Sequence, residues 1–182
     1  MDRPRVGVSR CLVGDAVRYD GAHKRDAQLL ETLGPYVEWV PVCPEVEIGM
    51  GTPREPIQLI VAADGVTSGR HRVRLVGVSS GRDWTDAMDV WRRERLRELS
   101  NAQLAGYVLK QDSPSCGIDN VRIAASDDAS HTGRGLFAQA LLDAMPDLPI
   151  EEEGRLHDRS VREDFLQRVR AHHRKSCLWK DR

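Results

Sequence analysis

The stretch LAGYVLKQDSPSCGID (residues 104–119) decides how this chain folds. Its first seven residues form an apolar run ending at Lys110, the mark of a short buried strand. The run opens directly into a proline-set turn. Ser113 and Ser115 flank Pro114 there, and Cys116 stands before a glycine. The same arrangement occurs twice earlier. VGVS (6–9) leads to Cys11, and VEWVPV (37–42) leads to Cys43-Pro44. Three strand-like runs thus each deliver a cysteine just beyond their ends.

Helical patterns separate these runs. Residues 21–34 place Ala27, Leu30 and Leu33 at helical spacing, with Gly34-Pro35 as the stop. Residues 84–100 put Trp84, Met88, Trp91 and Leu99 near one face of a long helix, and RRERLRE supplies the solvated face. A further helix is expected over 135–144, after the loop SDDASHTGRG, and LPI (148–150) reads as a last short strand. IQLIVAA (57–63) and HRVRLVGV (71–78) alternate around DGVTSGR, which predicts an antiparallel hairpin near an edge. Strands alternating with helices predict an α/β fold. The expected form is a single compact, Rossmann-like domain with a largely parallel sheet flanked by helices over 1–150. In open parallel sheets the strand C-terminal ends share one edge, and ligands bind there. Cys11, Cys43 and Cys116 are therefore expected to converge.

Composition narrows the function classes. The 182 residues carry a net charge of −1, so the whole chain is no general polyanion binder. No apolar run approaches the roughly 20 residues of a membrane span, and MDRPRVGVSR has no signal core. The expected location is cytoplasmic. Four cysteines are too few for a disulfide scaffold in a chain of this size.

Three converging thiolates repel and raise one another's pKa, and a soft cation resolves that conflict. Zinc with three cysteines and a water fits. An iron–sulfur cluster with one iron lacking a protein ligand also fits, and inert strand-end thiols remain as the third reading. No CxxC spacing supports a zinc ribbon or a ferredoxin pattern. A phosphatase nucleophile is disfavoured. CLVGDAVR puts six residues between Cys11 and Arg18 where that anion loop takes five, and Asp15 opposes a phosphate. Glu45, two residues after Cys43, is a candidate acid or base. Ser113 and Ser115 are candidates to orient substrate or water, or else cap the following backbone. Tyr19 and Lys24, in the loop after the first cysteine, and Arg54, in GTPREP, are weaker substrate-binding candidates that read equally as loop fixation. Cys177, in a basic tail, is expected to be a free thiol and no ligand.

Residues 151–182 differ in character. EEEGRLHD reads as a charged linker and SVREDFLQRVRAHHRK as an amphipathic helix. Ser160 and Glu163 match a capping box, and Val161, Phe165 and Val169 recur every four residues. From Gly154 to Arg182 there are nine Lys/Arg against four Asp/Glu. Such a basic helix either contacts phosphates or packs on the domain with a solvated face.

VSRCLVGDAVRYDGAHKRD, VPVCPEVEIGMGTPREP, YVLKQDSPSCG and GRGLFAQAL together resemble the 2-thiouracil desulfidase family, in order over roughly residues 5–150. The resemblance implies a compact α/β fold and a [4Fe–4S] cluster held through three irons by Cys11, Cys43 and Cys116. The fourth iron is left open for the substrate's sulfur. It implies Glu45 and Ser113 as catalytic residues, and a reaction replacing C=S by C=O in 2-thiouracil, 4-thiouracil or 4-thiouridine. The segment LPIEEEGRLHDRSVREDFLQRVRAHHR is similar to the junction in two-domain tRNA 4-thiouridine desulfidases. Small thiolated pyrimidines, free or as nucleosides, are the implied partners, with tRNA beside them. The reading from another class is a non-catalytic metal- or cluster-binding module, such as a sulfur carrier or an RNA-binding accessory domain.

Overall fold

The computed structural model describes residues 2–67, 70–125 and 131–178. Strand β1 (Arg5–Ser9) leads through a 3-10 turn and a long loop to helix α1 (Ala27–Leu33). Strand β2 (Glu38–Val42) runs into the four-residue helix α2 (Pro44–Glu47). The hairpin β3 (Ile57–Thr67) and β4 (Arg70–Gly77) is followed by helix α3 (Thr85–Asn101). Strand β5 (Gly106–Leu109) precedes the short strands β6 (Val121–Ala124) and β7 (His131–Gly133). Helix α4 (Leu136–Ala144), strand β8 (Ile150–Glu152) and helix α5 (Arg159–Leu178) complete the chain.

Four strands form a sheet in the order β2-β1-β5-β8, and every pair in it is parallel. Its central strand β5 is buried along its whole length, as the apolar run predicts. The hairpin pairs antiparallel, as expected. It belongs to a second sheet, β4-β3-β6-β7, and not to the edge of the first. Strands β6 and β7 have no counterpart in the sequence reading. Each is only three or four residues long, too short for a periodic pattern to stand out from its surroundings.

Successive side chains on a strand point to opposite faces, and β5 shows it. Tyr107 and Leu109 join one core with Leu59, Leu75, Met88, Phe137 and Leu141, whereas Val108 joins the other with Val6, Val8, Leu33, Phe165 and Val169. The strands close tightly on small residues. A Cβ on Gly7 would stand 2.2 Å from the Tyr107 ring, and one on Gly106 would stand 2.7 Å from Val169.

Several local expectations shift. Helix α1 begins only at Ala27, where the Asp26 carboxylate caps the Leu29 amide at 2.9 Å. It buries Leu29 and Leu33, while Ala27 is exposed. Residues 21–25 stay in a loop: Gly21 takes a left-handed φ of 76°, and the Lys24 and Asp26 amides donate to the Cys11 and Leu12 carbonyls. Helix α5 is capped by Asp158, not by a Ser160–Glu163 box. Asp158 accepts from the Ser160 and Val161 amides, and Glu163 is taken by Arg159 at 2.7 Å. Phe165 and Val169 are buried, as their spacing predicts. The acidic stretch expected as a linker is also buried. Glu151, Glu152 and Glu153 are 6%, 8% and 6% exposed. Residues 126–130 of the predicted loop and the Cys177 side chain lie outside the described residues. Among the described residues no helix is long and apolar enough to cross a membrane.

Candidate functional site

Because β1, β2 and β5 are parallel, their C-terminal ends meet at one sheet edge. Cys11 sits in the 3-10 turn after β1, Cys43 caps α2 after β2, and Cys116 follows β5. All three line one open cavity of about 1020 Å³, together with Glu45, Ser113, Tyr19, Lys24 and Arg54. Cys43, Cys116 and Glu45 are buried at its floor and Cys11 is half-buried, whereas Tyr19 and Lys24 are exposed at its mouth. Ser115 is not part of the lining. It is fully buried behind the loop, and its Oγ has no hydrogen-bond partner among the described residues.

The pattern Cys-Pro-Glu folds the way its residues dictate. Pro44 opens α2, where its missing N–H costs nothing. The turn brings Glu45 back over the cysteine, so that the Cys43 thiol donates to Glu45 Oε2 at 3.4 Å. In the third loop, Ser113 Oγ accepts from the Ser115 amide (3.2 Å) and the Cys116 amide (3.1 Å). Its own proton is then free to donate. The loop is seated on the N-terminus of α4. Pro114 and Ser115 carbonyls accept the Leu136, Phe137 and Ala138 amides, which no side chain caps. A Cβ on Gly135 would stand 2.4 Å from the Ser115 carbonyl carbon, so glycine permits this seating.

The weaker candidates divide. Arg54 Nη1 donates to the Val17 and Gly51 carbonyls, both at 2.9 Å, and its amide donates to the Tyr19 carbonyl. It therefore ties two cavity loops together. The Lys24 amide donates to the Cys11 carbonyl at 3.0 Å, so the side chain leaves from a backbone fixed to the first cysteine.

Electrostatics mark the thiols as one group. Burial, then the Glu45 carboxylate, raises Cys11 to about 11 and Cys43 to about 12. Burial and Glu45 also push Cys116 well above the ordinary thiol range, with Cys43 and Cys11 acting in the same direction and the Ser9 hydroxyl against it. Without a cation the site therefore holds neutral thiols, and a bound metal centre must displace their protons. Among the described residues no three Cys, His, Asp or Glu side chains are placed to hold a single metal ion. A lone zinc sets sulfurs at about 2.3 Å from one centre, hence about 4 Å from each other.

Ser9, Lys110 and Glu153 also line the cavity. Ser9, buried at the end of β1, accepts the Lys110 amide at 2.9 Å. Lys110 pairs with Glu153 across the cavity wall, and both act on Cys11. A cation closing an apolar strand, as Lys110 does, was the available signal. Its partner 43 residues on left none.

The family model described as 2-thiouracil desulfurase matches residues 6–153. The uncharacterized protein YbbK of Bacillus subtilis (strain 168) is 30% identical over 138 residues, covering 75% of this chain and 89% of that protein. Among solved structures, a [4Fe–4S]-dependent thiouracil desulfidase, TudS, superposes with a TM-score of 0.63 at 28% identity, covering 89% of this chain and 99% of that one.

Proposed function

This chain belongs to the 2-thiouracil desulfurase family, the premise from which we propose that it hydrolyses the C=S bond of a thiolated uracil at a [4Fe–4S] cluster held by Cys11, Cys43 and Cys116. The observation that carries this reading is the single cavity lined by three soft thiols, a buried carboxylate and a serine hydroxyl. The donor set fits the cluster. Its thiols are too few for a closed four-cysteine site, and three thiolates at one cavity suit a cluster that leaves one iron without a protein ligand.

When bound, the cluster supplies a soft Lewis-acidic position for a thiocarbonyl sulfur. The protein's own residues supply the rest. Glu45, already within hydrogen-bond reach of Cys43, takes a proton from the attacking water. Ser113, its oxygen engaged by two amides, donates its proton to orient that water or the ring. Water adds to the ring carbon, the C–S bond breaks, and sulfur leaves as sulfide. No electrons are gained or lost overall. Lys24 and Arg25, exposed along the cavity mouth, support a substrate that carries phosphate, such as a nucleotide or tRNA.

The test is sulfide release by anaerobically reconstituted protein offered 2-thiouracil, 4-thiouridine and thiolated tRNA. Release from any of these is the expected result. Uptake of iron or of another metal without release from any of them favours the non-catalytic metal- or cluster-binding module, and failure to take up iron overturns the desulfidase reading.

A further inference from the structure

We infer that Glu152 and Glu153 are positioning residues for the reaction proposed above, clamping the two ends of the loop that carries Ser113 and Cys116. The inference rests on that function for its purpose and on the following contacts for its substance.

Three consecutive buried glutamates at a strand end need compensation. Glu151 has it from Arg155 at 3.3 Å and Arg168 at 3.8 Å. Glu153 has it from Lys110 Nζ. Glu152 has no cationic partner among the described residues, and burial raises its carboxyl above the usual range. What Glu152 does hold is backbone. It accepts the Ile118 amide at 2.7 Å. Glu153 accepts the Gln111 amide at 2.8 Å, while Lys110 Nζ also donates to the Gln111 carbonyl at 3.0 Å.

Gln111 and Ile118 lie near the two ends of the loop 110–120 that joins β5 to β6. Leu109 of β5 lies opposite Glu152 of β8, so the loop starts beside the strand end that captures it. Neighbouring strand residues face opposite ways, which lets one strand end reach both sides of the loop. Inside, the loop is already braced by Ser113 Oγ and by the Gly117 amide on the Ser113 carbonyl. The clamp therefore sets where this braced unit stands relative to Cys11 and Cys43, on the neighbouring strand ends. Buried charge is a costly way to end a strand, and it is accounted for if the loop must be held to a fixed position.

The experiment uses the full chain, first without cluster. Amide hydrogen exchange is followed in Glu152→Ala, Glu153→Ala, Glu152→Gln and the exposed control Arg159→Ala. Exchange at Ile118 in Glu152→Ala, and at Gln111 in Glu153→Ala, should accelerate by about tenfold or more, with β1 amides unchanged. Maleimide should also reach Cys116 faster. Glu152→Gln should restore protection, because its amide oxygen accepts the same N–H, and Arg159→Ala should change nothing. In the iron-loaded protein, both alanine variants should alter the electron paramagnetic resonance of the reduced cluster and lower kcat more than they raise KM. Unchanged exchange in both alanine variants overturns the clamp. Faster exchange with an unaltered resonance and unaltered kcat overturns the positioning role. A wild-type chain that takes up no iron overturns the proposed function instead, and the exchange result still decides the clamp.

Discussion

Cys43 and Glu45 face each other at 3.4 Å, with the thiol donating and the carboxylate accepting. The two-residue spacing across the start of α2 makes this contact local, so it does not depend on the rest of the fold. It places a proton acceptor against a candidate metal ligand on the floor of the cavity.

If Glu45 is the base, Glu45→Gln should keep the cluster and lose turnover by about 10² or more. Iron content, visible absorption and sulfide release measured on one preparation check this. Normal turnover would make Glu45 structural.

The cysteines should separate cleanly. Replacing Cys11, Cys43 or Cys116 by serine should abolish stable iron binding, because each removes one of three anchors. Cys177→Ser should bind iron as the wild type does. Iron and sulfide analysis after anaerobic reconstitution reads the result, and full iron retention in any of the first three contradicts the ligand assignment.

The cluster-free protein should weaken in alkali. Free thiols titrate near 8.5 in the unfolded chain, whereas burial first, and then Glu45, raises Cys11 to about 11 and Cys43 to about 12 in the fold. The folded state therefore holds more protons across that window. Its stability from this source is complete below about pH 8.5 and declines as pH rises toward 11–12. Urea midpoints measured from pH 8 to 10.5 should fall, and fall less in Cys43→Ser. Equal slopes in the two proteins would contradict the shift.

Helix α5 should be part of the domain energetically. Phe165 is 1% exposed against β1 and β5, so Phe165→Ala should cost about 3–5 kcal/mol in urea unfolding. Arg159, exposed and paired with Glu163 one turn on, should cost less than about 0.5 kcal/mol when replaced by alanine. A Phe165→Ala midpoint equal to wild type would mean that the helix is an appendage.

The parallel sheet and its three cysteines were legible because both are local signals. An apolar run followed by a turn says strand and end, and three such units in an α/β chain meet at one edge for topological reasons. The residues that cap and clamp were not legible. Ser160 and Glu163 have the spacing of a capping box, yet Asp158 stands nearer the orphan amides, and Arg159 draws Glu163 away. Glu151 to Glu153 read as a charged linker because Ile118 and Lys110 are brought to them by the pairing of β5 with β8, and Arg168 by the docking of α5.

The sequence by itself determined which side chains arrive at the cavity: Cys11, Cys43, Glu45, Ser113 and Cys116, each set by its position after a strand. Only the tertiary structure decided what holds them there. It turned Ser115 behind the loop, made Arg54 a tie between loops, and recruited a buried acidic strand end to the third cysteine's loop. The physical reason is that a side chain's direction off a strand follows from local periodicity. The partner of a buried charge or amide depends instead on which distant segment the sheet order places beside it.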